Sequence, residues 1–384
     1  MQSLHPYCSG DEYMKDELAQ AILKEEMQNW KIVESVSEIK NIQIISEIKY
    51  DDYQQYTHGM RYIESIALWL RQFDTPEEKQ MAYEFVKNQL IYISEEEMRQ
   101  LVMYVFPLKM KRHLLDKTRM FCNQNKVDNI DERKKLYYFF RRSSLFLGLS
   151  DGAHMDFFRR QNPELSNEQV FVHYDFSLEK AKEMRSEFIK DAQVQSVKSK
   201  YSNLKEAGIS TFFLIDDFTG SGKSFIRKDE DGWHGKINKF IDLLERNEFD
   251  YKSADIHVII YISTEKSLDY MKEQLKIYSL EKGISDITVE AVQIVKPVEF
   301  EQQQELLKLL EKNYCKHKTR GYKSYEDKHF EKGEGIHPYL GFADCALPLI
   351  LSHNTPNNSL PVLWYSWEDK VDALFPRVTR HKEM

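Results

Sequence analysis

An apolar run, Phe212 to Ile215, delivers two adjacent carboxylates, Asp216 and Asp217, into the loop Thr219-Gly220-Ser221-Gly222-Lys223-Ser224. The residue types divide the chemistry. A Gly-rich loop after a buried strand can turn its backbone N–H groups toward a phosphate, and Thr219, Ser221 and Ser224 add hydroxyls while Lys223 adds a point charge. Two carboxylates beside them cannot share that phosphate without repulsion, so they are expected to face ribose hydroxyls or a Mg²⁺ ion brought in by the substrate. The structural alternative is an acidic turn closing a core strand.

The ending Gly-Lys-Ser also invites comparison with GxxxxGK[ST], the loop of nucleoside triphosphatases. The first glycine of that motif would fall on Asp217, whose carboxylate repels the phosphates such a loop wraps. A P-loop-like ATPase is therefore the weaker alternative.

Four apolar residues, an acidic pair, two apolar residues and a small-residue cradle form the pattern of the phosphoribosyl diphosphate loop in type I phosphoribosyltransferases, which residues 212–224 resemble. Two positions depart. Thr219 replaces an apolar residue, and Gly220 stands where purine-type enzymes carry an Asp acting on the nucleobase. Together with LFLGLSDGAHMDFFRR and HNTPNNSLPVLW, the chain resembles the phosphoribosyltransferase-like proteins of bacterial conflict and antiphage systems, retron-associated ones among them. That resemblance implies a toxic effector binding phosphoribosyl diphosphate or a related nucleotide with Mg²⁺, and a defence-system partner such as a reverse transcriptase or an ATPase. It assigns Asp216 and Asp217 to sugar or metal, and residues 219–224 to the 5′-phosphate. A catalytically inactive nucleotide sensor is the alternative, since Gly220 removes an acid.

LSDGAHMDFFRR groups Ser150, Asp151, Asp156, Arg159 and Arg160 around a turn that enters a helix. Arg159 and Arg160 are candidates to neutralise a diphosphate leaving group, although Asp156 and Arg160 at i,i+4 also suit a plain surface pair. His353-Asn354-Thr355-Pro356-Asn357-Asn358 supplies an imidazole and amides near Trp364 that could recognise a base, or simply makes a turn. His337 before Pro338 is read as structural. Basic residues gather at Lys109, Lys111, Arg112, Lys117 and Arg119 and again at Arg133, Lys134, Lys135, Arg141 and Arg142. They are either a docking surface for nucleic acid or an acidic partner, or a solvated helix face.

These groups are positioned by two patterns. From Tyr50 to Lys117, apolar residues recur at helical spacing in YIESIALWLRQF, EEKQMAYEFVKNQLIYI and EEMRQLVMYVFPL, and ERKKLYYFFRRSSLFL continues the theme. Beyond it, strand-like runs (VFVHYDF, STFFLIDDF, DIHVIIYIS, ITVEAVQIV) alternate with helical ones, LEKAKEMRSEFIKDAQVQSVKSKYSNLKEAG being read as one long helix. CALPLILS reads as a helix and LPVLWYS as a strand, and residues 317–339 as a long polar loop. The fold class expected is α/β, a mostly parallel sheet of type I phosphoribosyltransferase type preceded by an α-helical N-terminal region. We place the boundary so that 1–145 is helical and docks partners, and 146–384 carries the site.

The totals bound the rest. A chain of 384 residues that is 41% hydrophobic and 30% charged is of globular composition, with room for two domains. Four cysteines, Cys8, Cys122, Cys315 and Cys345, form no CxxC pair and suggest neither zinc site nor disulfide framework. A net charge of −8 argues against general nucleic-acid coating. No run has the apolar length of a membrane span, and MQSLHPYCSGDEYMKDE lacks the basic start and apolar run of a secretory signal, so a cytoplasmic protein is expected.

Overall fold

The computed structural model describes residues 10–27, 30, 35–319, 333–366 and 371–378. The chain divides into two compact units: residues 1–95 with 297–384, and residues 96–296. The boundary drawn at 145 from sequence falls inside the second of these.

The first unit holds α1 (Gly10–Met27), α2 (Ser35–Ile45), α3 (Tyr62–Trp69), α4 (Pro76–Gln89) and β1 (Ile91–Ile93), completed by α13 (Gln304–Thr319), β9 (Leu349–Leu351) and α14 (Pro361–Trp364). Thr75 caps α4 as its sequence requires, the hydroxyl accepting from Glu78 N–H and Pro76 filling the first turn. Two apolar runs exchange identities: Leu349–Leu351, within the expected helix CALPLILS, is a strand, and Pro361–Trp364, within the expected strand, is a helical turn. Leu349–Leu351 pairs in parallel with Ile91–Ile93, the end of a run read as helix. Short apolar runs carry too few periods to separate the two states, and pairing decides.

The second unit is a five-stranded, wholly parallel sheet in the order β3-β2-β4-β7-β8. Its strands are β2 (Ser144–Gly148), β3 (Val170–Phe171), β4 (Thr211–Thr219), β7 (Asp255–Ser263) and β8 (Thr288–Ile294), while β5 (Arg227–Asp229) and β6 (Gly232–His234) form a separate hairpin. The helices are α5 (Glu95–Val105), α6 (Lys111–Gln124), α7 (Ile130–Arg142), α8 (Met155–Gln161), α9 (Leu178–Lys190), α10 (Ala192–Lys200), α11 (Lys236–Arg246) and α12 (Glu265–Lys282). The α/β class with a mostly parallel sheet and helical N-terminal region is as expected.

Three local readings are corrected. The run ERKKLYYFFRRSSLFL is a helix only to Arg142, and Ser144–Gly148 is a buried strand. The single long helix breaks at Asp191, whose carboxylate caps α10 by accepting from Gln193 and Val194 N–H. VFVHYDF contributes only two strand residues. Of the expected polar loop, residues 320–332 lie outside the described residues.

Alternation along β4 sorts its side chains between two layers. Phe212 and Leu214 join a core with Ile237, Phe240, Ile260 and Met271, while Phe213 stacks with Phe146 on the opposite face at 5.1 Å. The same period sends Asp216 toward the α11 side and Asp217 toward the other. Counted in chain order the strands run 2-1-3-4-5, so the direction of winding reverses between β2 and β4. In open parallel sheets, the crevice at the carboxyl ends of such a strand pair is where ligands bind.

Candidate functional site

Asp216 ends the apolar run of β4 and is fully buried. Both of its oxygens are engaged: Ser150 Oγ donates to Oδ1 and Lys236 Nζ pairs with Oδ2. The N–H of Asp217 also donates to Oδ1, at 3.2 Å. Burial pushes the Asp216 carboxyl up to about 6, against the pull of the Lys236 charge and with help from the neighbouring charge of Asp217.

Lys236 was not foreseen. It is the first residue of α11, set by Gly235 at φ 116°, where an added Cβ would stand 2.3 Å from Phe225 O. Its N–H donates to Ser224 O at 3.1 Å and its ammonium lies 5.0 Å from the Phe225 ring centroid. The hairpin β5–β6 intervenes between the loop and α11, so twenty residues separate the partners Asp216 and Lys236. A basic residue opening an amphipathic helix is the only signal the sequence offers.

The loop after β4 is built from its own hydroxyls and glycines. Thr219 is buried, and its Oγ1 accepts from Gly222 N–H at 3.0 Å. Thr264, the cap of α12, donates to Gly220 O at 2.8 Å. Gly222 takes φ 76°, and a Cβ there would meet Met271 Cγ at 2.7 Å and Tyr270 Cδ1 at 2.9 Å. Thr219 and Gly220 thus lie beneath the loop, and Ser221, Lys223 and Ser224 are its half-buried to exposed residues. After Ser224 the chain enters a turn and the hairpin rather than a helix, unlike a P-loop, whose lysine opens one.

The third component is the turn after β2. Register pairs Gly148 with Ile215, and Leu149 N–H donates to Ile215 O at 2.8 Å, which brings Ser150 level with Asp216. Gly152 backs directly onto the other carboxylate: a Cβ there would be 2.3 Å from Asp217 Oδ2. Tyr261 fixes the turn from β7, its hydroxyl donating to Ala153 O at 2.6 Å. The structure therefore joins the turn at 150–153, the acidic pair and the loop at 219–224 across the reversal between β2 and β4.

The chain belongs to the PRTase-CE family. The family model matches residues 66–377, covering the whole sheet unit and much of the rest. It is a phosphoribosyltransferase-like protein. No curated protein and no solved structure matches it. Among the described residues, no helix is long and apolar enough to cross a membrane.

Other singled-out residues of this PRTase-CE chain are placed as follows. Arg159 and Arg160 are exposed on α8, and Arg160 pairs with Asp156 at 3.3 Å, the i,i+4 surface contact. The basic groups are largely met by acids: Lys109 by Glu290, Lys117 by Asp255, Arg112 and Arg119 by Asp116, Arg133 by Asp128, Lys134 by Asp131, and Arg142 by Glu168 and Asp191. Lys111 and Lys135 are exposed. In the first unit the segment 353–358 is a turn held by structural bonds, Thr355 to Tyr53 at 2.8 Å and Asn358 to Phe342 O at 3.1 Å. His337 N–H donates to Asp344 at 3.0 Å, a local contact.

For Mg²⁺ the donor set is specific. No group of three His, Cys, Asp or Glu side chains able to hold a metal occurs among the described residues. Asp216 already has a cation, and Asp217 is one further carboxylate beside it. One or two carboxylates are fewer protein ligands than a resident metal site uses, and Mg²⁺ bound in that number takes the rest of its oxygens from phosphates and water.

Proposed function

We propose that the crevice between the ends of β2 and β4 binds phosphoribosyl diphosphate, or a related nucleotide, as its Mg²⁺ complex. The observation that carries this reading is the bond between Ser150 and Asp216. It unites a turn, an acidic pair and a Gly/Ser/Thr loop where the winding of the sheet reverses. Ser221, Lys223 and Ser224 would hold the 5′-phosphate through hydroxyls, the ammonium and the loop backbone. Asp217 would face the ribose or the substrate-borne Mg²⁺, and Asp216 with Lys236 would hold the strand end in place. Arg159 and Arg160, exposed on α8 after the turn at 150–153, would be the candidates to neutralise the diphosphate. Bound Mg²⁺ would supply charge neutralisation at the leaving diphosphate.

In a defence setting the same site would act as a toxic effector, depleting a phosphoribosyl donor or modifying an acceptor once a partner is removed. The resemblance to antiphage phosphoribosyltransferase-like proteins supports that role. A nucleotide sensor without turnover is the second reading, and Gly220 in place of an acid favours it. Calorimetric titration of phosphoribosyl diphosphate with Mg²⁺ into wild-type protein and Asp217→Asn tests binding. Micromolar binding lost in the variant supports the proposal, and no heat from folded wild-type protein refutes it. Diphosphate release on the same samples separates effector from sensor.

A further inference from the structure

Gly220 is held by a residue far outside its own loop. Register pairs Thr219 on β4 with Ser263 on β7, which sets Gly220 level with Thr264. Thr264 lies 44 residues further along the chain and is buried, with its hydroxyl engaged twice. As the cap of α12, its Oγ1 accepts from Ser267 N–H at 3.0 Å. An amide N–H can only donate, so the hydroxyl proton is left for Gly220 O, 2.8 Å away. The Gly220 carbonyl is thereby fixed toward the β7 flank of β4. In a planar trans peptide, the N–H of the next residue points the opposite way. Ser221 N–H is therefore directed to the β2 flank, where Asp217 and the turn at 150–153 lie. That N–H has no partner among the described residues, and Ser221 is half-buried. The following amide differs, because Gly222 N–H is turned beneath the loop onto Thr219 Oγ1 at 3.0 Å.

We infer that Thr264 is a positioning residue of the proposed site, and that Ser221 N–H is the backbone donor it aims at the phosphate of the ligand. The inference rests on the reading of the crevice as a site for phosphoribosyl diphosphate. Glycine at 220 leaves its peptide free to rotate, since no Cβ restricts the backbone there. A flipped peptide would show the crevice a carbonyl oxygen in place of an N–H, and that oxygen repels phosphate. Thr264 disfavours the flipped state by satisfying the carbonyl from the buried side. An amide fixed in this way donates to an anionic oxygen without reorganising when the ligand arrives. The hydroxyls of Ser221 and Ser224 and the ammonium of Lys223 rotate to suit the ligand, whereas this N–H sets where the phosphate sits.

The test uses the full chain with phosphoribosyl diphosphate and Mg²⁺ as probe, read by calorimetry and by the amide signals of protein carrying ¹⁵N-labelled serine. Thr264→Gly removes the hydroxyl, and glycine remains a tolerated helix cap. This variant should bind the probe roughly ten- to a hundredfold more weakly, as expected for losing one hydrogen bond to a charged group. Thr264→Ser keeps the hydroxyl and loses only the methyl group, and should retain most of the affinity. In wild type the Ser221 amide proton should move downfield when the probe is added, and in Thr264→Gly that movement should shrink or vanish. Wild-type affinity in Thr264→Gly overturns the inference. Equal weakening in Thr264→Ser also overturns it, because packing of the methyl group would then be the cause. A Ser221 amide that stays in place while wild-type protein binds the probe overturns it as well, whether or not Thr264→Gly folds. Wild-type protein that fails to bind overturns the reading of the site itself, a separate result.

Discussion

Lys236, the first residue of α11, forms an ion pair with the fully buried Asp216 at the end of β4. The pair ties a strand end to a helix start across an inserted hairpin. Removing the cation alone leaves a fully buried carboxylate with no compensating charge beside that of Asp217. Lys236→Met is therefore expected to destabilise the protein by about 2–3 kcal/mol, toward the low end for a buried pair because Lys236 keeps some solvent contact. Lys236→Met with Asp216→Asn should recover part of that loss. Urea unfolding of the two single variants and the double variant measures the coupling, and additive losses would show that the pair contributes nothing as a pair.

Asp216 also gives a pH dependence of known sign. Burial raises its carboxyl to about 6. The folded state therefore holds a proton, between about pH 4 and 6, that the unfolded chain has released. This contribution to stability is complete below the unfolded value and is lost as pH rises through about 6. The stability of wild type minus that of Asp216→Asn should fall by roughly 1–3 kcal/mol from pH 4 to 6.5. A flat difference across that window would mean that the carboxyl titrates normally.

His257 gives the opposite sign on the other face of the sheet. It stacks on His113 at 3.9 Å and on Phe213 at 5.0 Å, with Nδ1 2.8 Å from Thr288 Oγ1. Burial and the neighbouring His113 press its pKa down to about 3. Here the unfolded chain binds the extra proton, so the contribution is complete above about pH 6.5 and shrinks as pH falls toward 3. His257→Phe keeps the ring stack. Relative to wild type it should gain stability at pH 5 compared with pH 7.5, read as a difference in Tm.

How far the sequence carried this site depended on distance along the chain. STFFLIDDF announced a buried strand ending in acids, because an unbroken apolar run of β-branched and aromatic residues needs cover on both faces. The turn at 150–153 was also visible, since Ser, Asp and Gly break the pattern there. What the residues did was less visible: the hydroxyl of Ser150 reaches Asp216, while Arg159 and Arg160 are exposed and Arg160 pairs with Asp156. Lys236 was hidden by the hairpin between it and Asp216. SSLFLG was absorbed into the preceding helix because no Gly or Pro separates it from FFRR, and only pairing with β4 makes it a strand. The ladder of ion pairs that covers the basic stripe involves Glu290, Asp255 and Asp191, residues far from it in sequence.

Gly152 and Gly222 separate the site's shape from its stability. At Gly222 a methyl group meets Met271 and Tyr270 below 3.0 Å with the backbone already at φ 76°. Gly222→Ala is expected to cost about 1–3 kcal/mol and to distort the loop. At Gly152 the obstructing atom is the end of the Asp217 side chain, 2.3 Å away, which can swing aside. Gly152→Ala should therefore leave Tm within a degree or two of wild type, while weakening phosphoribosyl diphosphate binding about tenfold by displacing the carboxylate that the substrate must meet. Thermal melts and calorimetry on both variants distinguish these outcomes. Equal binding by Gly152→Ala and wild type would remove Asp217 from the ligand's contacts.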